Sequence, residues 1–283
     1  MGREENVAVY EDTKAWCKTE PALKEAIKSS ISAQKIIYET DELPVDTGHR
    51  YDTKADVIVS KKRSYEAASA YKGQKVCVHN FASATTPGGG VVKGSRAQEE
   101  CLCRTSTLYF CINTQKMWDE FYIPHRENLD NIHNGDLIYT PNVIVMKSDT
   151  AAPERLEPKD WYKVDVITLA APKLRGGARF GQKPRTVTDQ ELLEIHETRM
   201  RRFCDVAKAN GAEVLILGAF GCGAYKNPAE VVAKAMKNVV EEYIYDFKTI
   251  EFAVQCRPED DSNYHTFKRV LITHDQETTS AGA

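Results

Sequence analysis

The stretch Pro87-Gly88-Gly89-Gly90-Val91-Val92-Lys93-Gly94-Ser95-Arg96-Ala97-Gln98-Glu99-Glu100 decides the fold. Its three consecutive glycines follow the apolar run Val76-Cys77-Val78-His79-Asn80-Phe81 and come shortly before a helix start. That order predicts a strand, a loop that lets the backbone approach a ligand closely, and a helix. Ser95 and Gln98 have the S-x-x-Q spacing of a capping box, which predicts Ser95 as N-cap, Arg96 at the first helical position, and Glu99 and Glu100 late in the first turn. Neighbouring helix positions are turned roughly 100° from one another, so the two carboxylates face differently and carry different tasks. One can meet a reacting bond while the other holds a hydroxyl or the loop. They cannot flank a substrate from opposite sides, as the paired carboxylates of most glycosidases do. Acidic residues in a first turn also serve simply to complement the helix dipole.

Outward from this stretch, Asp56-Val57-Ile58-Val59 is a predicted strand and Ser64 to Tyr71 an alanine-rich helix, leading through Gly73 into the strand Lys75 to His79. Strand, helix, strand predicts a parallel crossover. Ligands in such sheets lie beyond the carboxyl ends of the strands, where Asn80 and the triple glycine fall. His79 is expected to be a strand residue with a satisfied ring. After Glu100 the helix is expected to continue through Cys111, and Trp118 to His133 reads as an irregular peripheral insertion. Two short strands, Leu137 to Thr140 and Val143 to Met146, are separated by Pro141-Asn142, and Val164 to Leu169 is another strand. Glu11 to Ser30 has helical spacing, with Pro21 as a break or as the first turn of a second helix, and Lys35 to Tyr38 is a short strand.

Thr188 to Asn210 is the longest predicted helix, with Gly211 as its C-cap. Val214-Leu215-Ile216-Leu217 is continuously apolar, as a central parallel strand covered on both faces should be. It delivers the chain into a second glycine loop, Gly218-Ala219-Phe220-Gly221-Cys222-Gly223-Ala224-Tyr225-Lys226-Asn227-Pro228. Asn227 as N-cap and Pro228 at the first helical position would aim free N–H groups back at Gly221, Gly223 and Ala224, which makes an anion site. A tight strand-to-helix turn also serves just to pack helix on sheet. Tyr225 offers a flat face to a ligand or covers the core. Ile250 to Val254 is a late strand and Asn263 to Leu271 a final helix.

A chain of 283 residues with no low-complexity linker holds one large domain or two small ones. No apolar run approaches the ~20 residues of a membrane span, and Met1-Gly2-Arg3-Glu4-Glu5-Asn6 lacks the apolar core of a secretory signal, so an intracellular, membrane-free protein is expected, cytoplasmic and nuclear sites being indistinguishable. Its net charge of −3 gives no global attraction to a polyanion. Any such contact must rest on local patches, either Lys61-Lys62-Arg63 or the stretch with Lys173, Arg175, Arg179, Lys183 and Arg185. The eight cysteines show no C-x-x-C spacing, so buried reduced thiols are expected and no metal site. Cys222 stands in the second glycine loop, where a small side chain suits a tight turn.

Asn80-Phe81-Ala82-Ser83-Ala84 running into Gly88-Gly89-Gly90 and Gln98-Glu99-Glu100 resembles the GGG…QEE signature of bacterial-type poly(ADP-ribose) glycohydrolases. The second loop, about 120 residues further on, resembles the macrodomain loop that wraps the diphosphate of ADP-ribose. The resemblance implies an α/β fold, a macrodomain-like three-layer α/β/α sandwich with a mixed, mostly parallel sheet. It implies residues 1–50 as an N-terminal helical accessory segment, 51–275 as the catalytic domain, and 276–283 as a flexible tail. By similarity, Glu100 is the general acid and then the activator of water, and Glu99 holds a ribose hydroxyl. Asn80 orients the distal ribose and Gln98 supports the turn. Gly88, Gly89, Gly90, Gly221, Cys222, Gly223 and Ala224 wrap the ligand, and Tyr225 stacks. The family's A-P-N sequence reads Ala171-Pro172-Lys173 here, which leaves that loop's contact open. The implied partners are ADP-ribose, poly(ADP-ribose) and ADP-ribosylated proteins, with nucleic acid only as an ADP-ribosylated substrate, and no cofactor. The alternatives are a hydrolase of single ADP-ribose groups and a non-catalytic reader.

Overall fold

The computed structural model describes residues 2–43, 48–176 and 184–272. Two helices, α1 (Arg3–Thr19) and α2 (Pro21–Ala33), lead into the short strand β1 (Lys35–Ile37). Pro21 opens the second helix, and Glu20 caps it by accepting the N–H of Ala22 at 3.3 Å. There follow β2 (Asp56–Ser60), α3 (Ser64–Ala68), β3 (Val76–Ala82), α4 (Gln98–Thr105), α5 (Leu108–Ile112), α6 (Gln115–Met117), α7 (Ile123–Asn128), β4 (Leu137–Val145) and β5 (Tyr162–Ala170). The chain closes with α8 (Asp189–Ala209), β6 (Val214–Leu217), α9 (Ala229–Glu242), β7 (Thr249–Ala253) and α10 (Ser262–Leu271).

The seven strands form one sheet in the order β1-β4-β5-β3-β6-β7-β2. The pairs β1/β4 and β4/β5 are antiparallel and the other four parallel, so the mixed, mostly parallel sheet is as expected. The crossover from β2 to β3 joins parallel strands with β6 and β7 lying between them. Both faces are covered, which explains the continuous apolar runs. On β3, Val76 and Val78 point into a core shared with α3, α4 and α5 through Tyr65, Leu102 and Leu108. Cys77 points the other way, into a core built with Phe203 of α8, Val232 of α9 and Phe267 of α10. Each large side chain so buried contributes ~1.5–3 kcal/mol against the entropy of ordering the chain.

Three local readings need correction. The helix after Glu100 stops at Thr105, because Ser106 turns extended and bridges to Val145 while the Thr105 carbonyl takes the N–H groups of Met146 and Lys147 at 3.1 Å. The strands either side of Pro141-Asn142 are one strand with a register shift, where Asn142 at φ 55° gives its N–H to Asp165 at 3.0 Å. Of the stretch Trp118 to His133 only the part after Asn128 is irregular, since Trp118–Tyr122 forms a π-turn that runs into α7. The predicted tail 276–283 and positions 177–183 of the basic loop lie outside the described residues.

The N-terminal helix is seated directly on the glycine loop. Asn6 donates to the Gly94 carbonyl at 3.1 Å, and Tyr10 meets Tyr109 edge-on at 5.3 Å. Gly94 has φ +71°, and a β-carbon there would stand 2.2 Å from the Arg3 carbonyl oxygen. Gly94→Ala should therefore lower stability by on the order of 3 kcal/mol, read as the shift of a denaturant midpoint. An unchanged midpoint would mean that α1 lifts off this loop freely.

Candidate active site

Where α4 begins is set by Gln98. Its Oε1 accepts the Phe81 N–H at 2.9 Å, and its Nε2 donates to the His79 carbonyl at 2.6 Å and to the Ser64 hydroxyl at 3.0 Å. One side chain thus ties the helix start to the end of β3. The predicted capping box does not form: the N-cap is Ala97, without a side-chain cap, and Gln98 is the first helical residue. Gln98 is spent on the strand, and Ser95 instead closes the glycine loop, its N–H meeting the Gly90 carbonyl at 3.1 Å.

Glu99 and Glu100 follow at the second and third helical positions, 3% and 7% exposed. Glu99 accepts the Ser83 N–H at 2.8 Å and the Asn80 amide at 3.4 Å, and Asn80 also donates to Thr168 at 3.1 Å. Burial, reinforced by the neighbouring Glu100 charge, pushes the Glu99 carboxyl up to about 8, while the N–H groups of Ser83 and Gly88 and the Asn80 amide pull the other way. Burial thus favours retention of a proton on the carboxylate pair near neutral pH. Glu100 accepts the Gly90 N–H through Oε1 at 2.8 Å, and its buried Oε2 has no hydrogen-bond partner among the described residues. Gly89, at φ +55°, passes so close that a β-carbon would stand 2.5 Å from Glu100 Oε1. No residue with a side chain fits there. The glycine loop is pinned in front by Arg126 of α7, which donates to the Thr85 carbonyl at 2.6 Å and stacks 4.6 Å over the Trp118 ring.

Across the cleft, the second loop leaves β6 and no backbone hydrogen bond among the described residues uses the N–H of Gly221, Gly223 or Ala224. Free N–H groups in a tight turn make a concave anion site. The following helix starts one residue later than expected, with Pro228 as N-cap and Ala229 first. Asn227 does not cap; it is buried and staples the loop, donating to the carbonyls of Pro172 at 2.7 Å and Gly221 at 3.1 Å and holding His196 at 2.9 Å. Tyr225 is half-buried beside Ser83, and its carbonyl accepts the N–H groups of Leu174 and Arg175, both at 3.0 Å. Lys173, in place of the expected asparagine, pairs through its backbone with Asn131. Burial pushes the Cys222 thiol up to about 12, which leaves it a packing residue and not a thiolate.

The two loops line one cleft of about 1150 Å³, with Glu99, Glu100 and Gln98 on one wall and Gly221 to Tyr225 on the other. That space takes a ligand of dinucleotide size. Of the predicted site residues, Gly89, Gln98, Glu99, Glu100 and Gly221 to Tyr225 line it, whereas Asn80, Gly88 and Gly90 do not. His79 is different from expectation: its ring is fully buried among Phe81, Phe203 and Phe220 with neither nitrogen hydrogen-bonded among the described residues, and burial depresses it to about 3. It is a neutral packing residue. Arg126, Thr168, Ser83 and the stapling role of Asn227 were not legible, since each acts through a contact distant in sequence.

An α/β/α sandwich that buries a carboxylate pair between two glycine loops at its strand ends is a macrodomain-like fold with a protonatable group in the cleft. The family model for the catalytic domain of microbial-type PARG matches residues 4–148, and this chain belongs to that family. The structure of poly(ADP-ribose) glycohydrolase from Thermomonospora curvata is similar with a TM-score of 0.80 at 24% identity, covering 95% of this chain and 100% of that one. The same protein bound to the inhibitor ADP-HPD gives 0.77 at 24%, over 94% and 99%. Poly(ADP-ribose) glycohydrolase from Deinococcus radiodurans, in complex with ADP-ribose, gives 0.71 at 26%, over 87% and 96%. No curated protein matches.

The raised Glu99 carboxyl has a consequence for stability. Its folded value of about 8 lies above the ordinary 4.5, so the native state keeps a proton that the unfolded chain releases, and stability falls as pH rises through that window. Glu99→Gln removes this loss. The melting temperature of the variant minus that of wild type should grow from about pH 5 to about pH 8.5, and a constant difference would show that Glu99 is ionised throughout.

Proposed function

We propose that this chain is a poly(ADP-ribose) glycohydrolase that hydrolyses ribose–ribose O-glycosidic bonds and releases ADP-ribose, with Glu100 as general acid and then general base. The carrying observation is the buried carboxylate pair lining the cleft, in which Glu99 has both oxygens engaged while the Glu100 Oε2 has no partner among the described residues. Family membership and the relatives solved with ADP-ribose and ADP-HPD support the ligand. The diphosphate rests on the N–H groups of Gly221, Gly223 and Ala224, and Gly88 to Gly90 cover it from the other side. Tyr225 gives the cleft a flat aromatic wall. Glu99 holds a hydroxyl of the distal ribose, and Asn80, buried beside it, orients that ribose through Glu99.

Glu100 delivers its proton to the departing oxygen as the anomeric C–O bond breaks through an oxocarbenium-like state, and then takes a proton from the attacking water. Glu99 holds a ribose hydroxyl, and the proton that burial favours on the carboxylate pair is the one Glu100 delivers. Residues 51–275 are read as the catalytic unit and 1–50 as its accessory segment, with ADP-ribosylated proteins as carriers and nucleic acid only when it bears ADP-ribose. The eight free thiols fit an intracellular setting.

A reader of ADP-ribose has no use for a buried carboxyl that costs stability, which favours the hydrolase. Removal of single ADP-ribose groups would use the same acid. Glu100→Gln should lower ADP-ribose release from automodified, polymer-bearing protein by ~10²-fold or more while free ADP-ribose still binds. The raised Glu99 carboxyl favours one rival assignment, and a larger loss in Glu99→Gln than in Glu100→Gln would make Glu99 the acid. Release by neither wild type nor variants, with binding kept, would favour a reader.

A further inference from the structure

Lys61, Lys62 and Arg63 are adjacent in sequence but part company in the fold. Lys61 pairs with Asp261 at 2.8 Å and Lys62 approaches Glu251 at 3.5 Å, so both are matched. Arg63 turns instead to the cleft, its Nη1 3.3 Å from Cys101 Sγ and 3.8 Å from Asp149 Oδ1. Arg104 reaches the same sulfur at 3.4 Å. It is 3% exposed, donates through Nη2 to the Ser95 carbonyl, and leaves its buried Nε without a partner among the described residues. Arg96 is exposed; its carbonyl accepts the Cys101 thiol at 3.7 Å, while its guanidinium has no hydrogen bond or ion pair among the described residues. These three guanidinium groups line a cavity of about 180 Å³ that is walled on its far side by Thr150 and Pro153. Through Arg63, Arg96, Cys101 and Asp149 it continues into the main cleft.

Two carboxylates face this group. Asp149 is anchored by the Tyr65 backbone N–H at 3.0 Å, and Glu66, itself exposed, accepts the backbone N–H of Arg63 at 3.1 Å. Three cations against two anions leave an excess of positive charge, and a buried guanidinium N–H without an acceptor is costly until one arrives. The catalytic chemistry uses none of these arginines, yet Cys101, which they grip, is the residue after Glu100.

We infer that this pocket is an anion subsite for the diphosphate of a neighbouring unit of the polymer, beside the unit held by the second glycine loop. The inference rests on the glycohydrolase reading. Guanidinium groups bind diphosphate oxygens in pairs. Arg63 and Arg96 suit one diphosphate, whereas a nucleic-acid tract needs a longer cationic stripe, which a chain of net charge −3 does not supply globally. The subsite would hold the polymer in register at Glu100.

The test uses Arg96→Gln, whose exposed side chain has no structural partner to lose, and the double variant Arg63→Gln/Arg96→Gln. KM for polymer-bearing protein should rise about tenfold in the double variant and less in the single one, with a shallower dependence on salt, while the Kd for free ADP-ribose stays within about twofold. Unchanged KM and salt slope in variants of an active enzyme would overturn the subsite and leave the function standing. A matching loss of free ADP-ribose affinity would overturn it too, by assigning the arginines to the first unit. Loss of salt-sensitive retention on an oligonucleotide, with polymer KM kept, would assign them to nucleic acid instead. A wild type that releases no ADP-ribose removes both readings.

Discussion

Two carboxyl groups on consecutive buried residues cannot both stay ionised without a cost that a marginally stable fold struggles to meet. Here the conflict is resolved unequally. Glu99 is held by Ser83 and Asn80 and is raised to about 8 by burial, so the pair retains a proton, and Glu100 sits against the Gly90 N–H with one oxygen unpaired among the described residues. Placing two glutamates this way needs a helix start fixed against a strand end, which is what the Gln98 side chain provides. It also needs a loop without side chains where the backbone passes them, and Gly89 meets that need.

Much of the surrounding structure holds that arrangement in place. The N-terminal helix presses on Gly94, Arg126 pins Thr85, and Asn227 fixes the opposite loop from beneath. None of these groups touches a reacting atom in the proposed chemistry. Together they set the width of the cleft, and a shift of an ångström at Glu100 would separate acid from leaving oxygen.

The strands were legible because burial on both faces leaves long apolar runs, as in Val214–Leu217, and the two glycine loops were legible because glycine clusters have few other uses. The helix starts were less so. Ser95 and Gln98 have capping-box spacing, yet the Gln98 side chain serves the end of β3 and the Ser95 backbone closes the glycine loop, and local pattern gives no sign of that competition. The same holds for the helix break at Ser106, which is imposed by pairing with Val145 far along the chain. His79 reads as a polar strand residue in need of partners, but its ring sits in an aromatic box and stays neutral. The Lys61-Lys62-Arg63 run looks like one patch and is three separate environments.

In the proposed chemistry Glu100 faces the scissile position while the second loop holds the diphosphate. A crystal structure of the Glu100→Gln variant with ADP-ribose tests it directly. The account predicts the distal ribose over the carboxylate pair, with its anomeric oxygen within ~2.6–3.2 Å of the residue 100 side chain, and phosphate oxygens on the N–H groups of Gly221, Gly223 and Ala224. A distal ribose turned away from Glu100, or a diphosphate bound elsewhere in the cleft, would contradict it.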